Sequence, residues 1–457
     1  MKAPNLVPQF AYRLWRTVGS SDLLLIIGRG VSWVGVGAVG SRGITLAASI
    51  LISRSLGVEG FGRYGMIQAT LGTLGTLAGA GLGMTITRYV AEASIADRGR
   101  AGQIIALTFL SSAVSGAGIG ILAFVLAPWL SGSILADPNL VDPLRISSAL
   151  VLFSAYNGVQ FGALAGLQAF KAVAIATVVT SGISSLCSIA GAHTAGLSGA
   201  CVGSTLGAAA NCIIGRIFLT NEMERANLKP LYSGIWRHRH ILVSFSLPAL
   251  IASLLVDPVN WACAALIIRQ PDGYHQLGVF YAANQWLTAL LFIPNLVGYV
   301  IFPQLSQAFV QQRRPHVSKV LALSIGFNAA ICIPLVLLLS LGTASIMGLY
   351  SPGLVSEWKV LDVTLITGAL LAIATPVGQV IAASGRMWIG AALNTAWAAA
   401  FITFTVLLAR NGALGLASAR AIAYALHTVW SAIPAAWLAK GWQPRTAPPH
   451  EKRAVCE

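Results

Sequence analysis

Mostly apolar runs, broken by short polar or charged segments, fill this chain from near Val31 to Leu438. A helix that crosses a bilayer needs about 20 such residues. The pattern therefore predicts twelve spans, at about 32–53, 64–87, 103–127, 146–168, 172–193, 197–219, 243–267, 279–304, 320–341, 361–384, 388–409 and 414–438. The expected fold class is an all-α polytopic membrane protein, and an even number of spans puts both termini on one side. Gly75, Gly79 and Gly83 recur every fourth residue on the second span, a spacing that lets helices approach closely. Pro258, Pro294, Pro334, Pro376 and Pro434 fall within spans, where each removes a backbone donor and predicts a kink.

The polar positions inside the runs are few. Arg42 and Asp257 each lie near the middle of one. A charge at that depth costs roughly 2.5–3.5 kcal/mol on insertion scales, so it is expected to face a partner or a watery cavity. Arg42, Thr45, Ser49 and Ser53 share one helix face, as do Ser253, Asp257 and Asn260, and Asn284, Gln285 and Thr288 add polarity to the eighth span. These stripes predict a cleft in which Arg42 and Asp257 pair, either to lock two halves together or as a bond that breaks between states. Arg420 lies about two turns inside the last span, with Tyr424 and His427 on its face, and either enters the cleft or snorkels outward. Arg54, Arg63 and Arg269 flank the expected outer mouth, and Pro258 beside Asp257 is the candidate hinge.

Composition removes the soluble alternatives. The 457 residues are 56% hydrophobic and 9% charged, against about 25% charged in a soluble domain. The net charge of +15 is not a nucleic-acid signal here, because its placement follows the membrane. Of 29 Lys and Arg, only Arg54, Arg63, Arg145, Arg269, Lys359 and Arg410 fall on one face; Arg42 and Arg420 lie within spans, and the rest crowd the other face. Basic residues favour the cytoplasmic side, so both termini are expected there, beside anionic lipids. Before the first span, Phe10, Tyr12, Leu14 and Trp15 alternate with Arg13 and Arg16, as in a helix lying in the interface. Cys187, Cys201, Cys212, Cys263, Cys332 and Cys456 form no ligand spacing, and His238 and His240 at i, i+2 cannot meet on one helix face. Neither metal nor cofactor is expected.

An internal repeat organises the runs. The hairpin from Ile50 (ILISRSLGVEGFGRYGMIQATL) aligns with that from Ala265 (ALIIRQPDGYHQLGVFYAANQWL), placing Arg54 on Arg269, Gly62 on Gly278 and Gln68 on Asn284. The same offset matches GLSG at Gly196 with GALG at Gly412, and carries Arg42 to about Asp257. The expected organisation is a cytoplasmic or interfacial segment 1–31, a six-helix half 32–219, a linker 220–242, a second half 243–438 and a cytoplasmic tail 439–457. Such repeats are common in transporters, with the pathway between the halves.

The stretch SRSLGVEGFGRYG (Ser53–Gly65), with softer echoes in GLGMTITRYVAEAS (Gly81–Ser94), LAGLQAFK (Leu164–Lys171) and the segment from Tyr281 to Pro303, resembles the Wzx-type O-antigen and exopolysaccharide flippases of the multidrug/oligosaccharidyl-lipid/polysaccharide exporters. The resemblance spans about residues 24–440. It implies an inner-membrane transporter with two lobes that passes an undecaprenyl-pyrophosphate-linked oligosaccharide to the outer leaflet. It further implies membrane lipids, a polysaccharide polymerase and glycosyltransferases as partners, and proton or sodium as coupling ion, for which Asp257 is the candidate. The family carries no motif of catalytic residues. Such flippases are expected to offer a cationic cavity, and Asp257 offsets one of the few cations here. A cation-coupled drug antiporter of the same superfamily is the alternative, though it would need an acidic cavity. A membrane-embedded polymerase or ligase fits less well, because the longest outer loops, about 128–145 and 342–360, hold no paired carboxylates and no nucleophile with its base.

Overall fold

A computed structural model describes residues 22–79, 81–96, 98–242, 255–311 and 314–440. The expected interfacial helix around Phe10–Arg16, the start of the seventh span and the tail beyond residue 440 lie outside these residues. The described chain is helical, without strands: α1 (Asp22–Gly79), α2 (Leu82–Ala96), α3 (Arg98–Trp129), α4 (Val141–Ser147), α5 (Ala149–Gly166), α6 (Phe170–Arg225), α7 (Val256–Ile268), α8 (Gly273–Leu290), α9 (Phe292–Val310), α10 (Arg314–Ser340), α11 (Thr343–Tyr350), α12 (Trp358–Ala383), α13 (Met387–Leu408) and α14 (Gly412–Lys440).

Seven helical runs among the described residues are long and apolar enough to cross a membrane, or eight if α8 and α9 are taken as one bent span. The predicted spans map onto fewer continuous helices because some chain reversals barely interrupt the helix. α1 breaks at Gly57 (φ 71°, ψ 168°), a conformation open to a residue without Cβ. α6 breaks at Ala195–Gly196, and its arms fold back closely: Gly191 meets Gly199, Gly203 meets the Cys187 backbone and Gly207 meets Ser184. The bend of about 40° between α8 and α9 falls at Leu291, three residues before Pro294, whose missing N–H cannot continue the helical ladder.

The repeat is visible in the backbone. Gly196 (φ 59°, ψ −138°) and Gly412 (φ 55°, ψ −130°) adopt nearly the same unusual conformation. Gly62 of α1 packs on the Tyr274–Gly278 backbone of α8, while Gly278 packs on Val58 of α1. The two matched hairpins thus face one another.

Packing differs between the two ends of the molecule. One apolar core joins residues from both halves of the sequence, including Phe61, Met66 and Leu71 with Leu277, Phe280 and Tyr350. Toward the other end the core divides. One cluster (Leu82, Ile86, Phe109, Val159, Leu219) belongs wholly to the first half of the sequence, and another (Leu305, Val317, Val380, Leu438) wholly to the second. The described helices therefore share one core at the end bearing Gly62 and Gly278, while toward the end rich in Lys and Arg each half packs its own cluster, with Gly35 of α1 still beside Leu296 of α9.

Candidate functional site

The second arm of α1, residues 58–79, runs through the junction. It meets α5 and α6 on one side and α7 and α8 on the other. Two polar cavities flank it.

The first, of about 560 Å³, is lined by Arg42, Thr73 and Thr76 of α1, Asp257, Asn260 and Trp261 of α7, Asn284 of α8, and Arg420 and Tyr424 of α14. Five of the predicted residues, Arg42, Asp257, Asn260, Asn284 and Arg420, thus meet in one space. The expected ion pair does not form. Arg42 and Asp257 are both exposed to the cavity, and no salt bridge joins them. Asp257 accepts instead from Thr76 Oγ1 at 3.1 Å. Matching depth in a repeat fixes height in the membrane but not the rotation of each helix about its axis, and the intervening arm of α1 supplies the nearer partner.

The buried cation of this cavity is Arg420, only 4% exposed. Its Nη1 donates to Asn284 Oδ1 at 2.7 Å, and the guanidinium lies 4.7 Å from the centre of the Phe280 ring. Nε and Nη2 have no hydrogen-bond partner, and no carboxylate lies within ion-pair distance. Of the two sequence readings of Arg420, the cleft position holds. Burying an unpaired guanidinium is costly. Arg420 lines the cavity, but Nε and Nη2 are shielded from it in this state, so the guanidinium meets an anion there only after a local side-chain shift.

The second cavity, of about 770 Å³, lies between α1, α5 and α6. Ser49 and Gln285, which the sequence grouped with Arg42 and Asn284, line this space instead. So do Tyr64 and Gln68, Asn157 of α5, and Ser181, Ser184, Ser185 and Ser188 of α6. None of its lining residues is charged. Ala69 and Tyr281 line both cavities and form their common wall. Tyr281 reaches that position because Gly65 has no side chain; a Cβ there would strike the ring. The serines recur at i, i+3, i+4 and i+7, a single helix face. That signal was present in the sequence but buried in an apolar average, since serine differs little from alanine in size.

The predicted outer-mouth arginines are engaged within the protein. Arg54 Nε donates to the Leu349 carbonyl at 2.6 Å, and Arg269 Nη2 to the Ser133 carbonyl at 3.0 Å. Arg63 pairs with Asp137 and Glu59, each at 2.8 Å, and lies over the Tyr274 ring. The Arg54 and Arg269 bonds, with Tyr274 Oη donating to the Leu135 carbonyl at 2.6 Å and Ser49 Oγ 3.1 Å from Tyr350 Oη, tie the two halves of the sequence at the closed end, whereas the Arg63 ion pairs lie within the first half. In this state each of the three outer arginines bonds within the protein. Pro258 lies in the first described turn of α7, and the residues before Leu255, which decide whether it bends a longer helix, lie outside the described residues. Trp261, whose Nε1 donates to Thr70 Oγ1 at 2.9 Å, and Thr76 are site residues the sequence did not single out.

Comparison with known proteins follows this geometry. A family model described as polysaccharide biosynthesis protein matches residues 27–309. Two curated relatives, each the EPS I polysaccharide export inner membrane protein EpsE, are from Ralstonia nicotianae and Ralstonia solanacearum. They are 24% and 25% identical, and each alignment covers 85% of this chain and 90% of the relative. Among solved structures, the inward-facing conformation of a multidrug resistance MATE family transporter of the MOP superfamily aligns with a TM-score of 0.71 at 16% identity, over 88% of this chain and 96% of that one. The lipid II flippase MurJ, in an inward closed conformation, aligns with a TM-score of 0.69 at 15% identity, over 88% and 87%. The chain has the fold of these proteins and is a membrane transporter rather than an enzyme. It belongs to the polysaccharide biosynthesis protein family.

Proposed function

We propose that this family member is a flippase that moves a lipid-linked oligosaccharide, carried on undecaprenyl pyrophosphate, from the cytoplasmic to the outer leaflet during surface polysaccharide synthesis. The observation that carries the reading is Arg420: a buried cation without a carboxylate partner among the described residues, at the edge of a cavity between the two halves of the sequence. Guanidinium donors match phosphate oxygens in geometry and charge, so the pyrophosphate is assigned to Arg420, with Arg42 across the same space. The names of the Ralstonia relatives and of MurJ support the substrate class. A drug-cation antiporter fits poorly, because this cavity holds two cations against one carboxylate.

In the proposed cycle, the halves 32–219 and 243–438 rock about the linker 220–242. In this reading the end with the shared core faces outward and the basic end faces the cytoplasm, where the substrate loads. The sugar cannot cross about 30 Å of hydrocarbon unaided; the cavities shield it while the lipid tail stays in the bilayer. The test is a deletion strain carrying wild type, Arg420→Met or Arg420→Lys. Loss of surface polymer, with the lipid-linked precursor held on the inner leaflet in the deletion and Arg420→Met strains and partial rescue by Arg420→Lys, is expected. Normal polysaccharide in the deletion strain would overturn the reading.

A further inference from the structure

We infer that the uncharged cavity between α1, α5 and α6 is the saccharide subsite, and that it accepts a neutral, hydroxyl-rich sugar rather than a uronic acid. This rests on the flippase reading, in which the anionic end of the substrate sits at Arg420. Three observations carry it.

The cavity is chemically distinct from its neighbour. Its lining holds no acidic or basic side chain, whereas the adjoining space holds Arg42, Asp257 and Arg420. A sugar carboxylate placed there would lose its hydration with no cation to replace it. A neutral sugar loses only hydroxyl contacts with water, and serine hydroxyls and amides both give and take hydrogen bonds, as those contacts require.

Hydrogen-bonding capacity is left open in this space. The Oδ1 atoms of Asn157 and Asn211 are buried and have no partner. Both residues line the cavity, from α5 and from the second arm of α6. Buried acceptors normally find a donor; both oxygens are shielded from the cavity in this state, and a turn of the side chains that line it brings them to a ligand hydroxyl.

Position and size agree with one extended ligand. At about 770 Å³ the space lies within the range of small-molecule sites. It adjoins the charged cavity across Ala69 and Tyr281. In this inference the Tyr281 ring, part of the wall between the two cavities, moves aside as the ligand binds, and the sugar reaches the serine face of α6 while the pyrophosphate stays on the Arg420 side.

The test uses the purified full chain in nanodiscs and three probes: farnesyl pyrophosphate, the same compound bearing a neutral N-acetylhexosamine disaccharide, and its counterpart bearing a uronic acid. Wild type is expected to bind the neutral glycan probe at least tenfold more tightly than bare farnesyl pyrophosphate, about the gain of one or two new hydrogen bonds. The acidic probe gains nothing over the bare compound. Asn157→Leu with Asn211→Leu abolishes the glycan-dependent gain and leaves bare pyrophosphate binding unchanged. Ser184→Ala with Ser188→Ala, which adds no bulk, gives the same pattern if the leucine protein does not fold. Equal binding of the neutral and acidic probes, or equal loss for glycan and bare probes in the variants, overturns the inference. Failure of bare farnesyl pyrophosphate to bind wild type overturns the flippase reading instead. The free neutral disaccharide, titrated in parallel, still reports on this cavity: variant-sensitive binding upholds it and no binding overturns it.

Discussion

Adding one methyl group at Gly62 should open the closed end. The Cβ of Gly62→Ala would overlap the carbonyl oxygen of Tyr274 and come within 2.8 Å of the Gly278 nitrogen. Both obstacles are backbone, so no side-chain rotation relieves them, and α1 and α8 must move apart. Overpacking of this kind costs about 1–3 kcal/mol. The cost applies only while the two hairpins touch, so it acts as a differential free energy between the closed-end and open-end states. A difference of that size shifts their ratio about 5- to 150-fold. The bonds of Arg54, Arg269 and Tyr274 would stretch with it. The assay is a chemical crosslink between Ser133→Cys and Gln270→Cys across that end, with and without Gly62→Ala. Crosslinking is expected to fall sharply while the protein stays folded. Unchanged crosslinking together with an unchanged Tm would refute the argument that these hairpins gate the outer side.

Other changes have defined consequences. Asp137→Ala removes the Arg63 partner and the acceptor for the Asn139 amide, both within the first half of the sequence; it should cost about 1–3 kcal/mol of stability, read by Tm, and leave the crosslink between the halves largely unchanged. Arg42→Ala and Asp257→Ala, since the two residues do not pair, should each change Tm little, and the charge-swapped double variant should not restore transport; restoration would show a structural pair. Gly412→Ala forces a positive φ and drives a Cβ into the Gln276 side chain, whereas Gly196→Ala meets open space at a similar φ. Both should lower Tm through about 1–3 kcal/mol of strain, Gly412→Ala the more, by melting in detergent.

The parts of this molecule that depend on local chemistry were readable in advance. Apolar runs located the helices, and the matched offsets of Gly62 with Gly278 and Gly196 with Gly412 anticipated a reciprocal packing and a shared backbone conformation. Pro294 marked a real bend. What escaped the sequence depends on helix rotation and on which state is populated. Arg42 and Asp257 share depth and cavity but not contact, and Arg42 and Ser49, on one helix face, open into different spaces. The sequence placed the outer arginines at the mouth without partners, because the carbonyls of Leu349 and Ser133 that they meet lie in short helical segments distant in sequence, which pattern alone cannot bring together.

The account stands most directly on movement of a lipid-linked saccharide by the purified protein. Proteoliposomes holding an undecaprenyl-pyrophosphate-linked oligosaccharide would be assayed for appearance of the sugar on the opposite leaflet. Wild type should transfer it, and Arg420→Met, folded and inserted, should be slower by about 10- to 150-fold, the loss of one or two charge-assisted bonds to phosphate. Transfer by Arg420→Met at the wild-type rate, or none by wild type, would contradict the central claim.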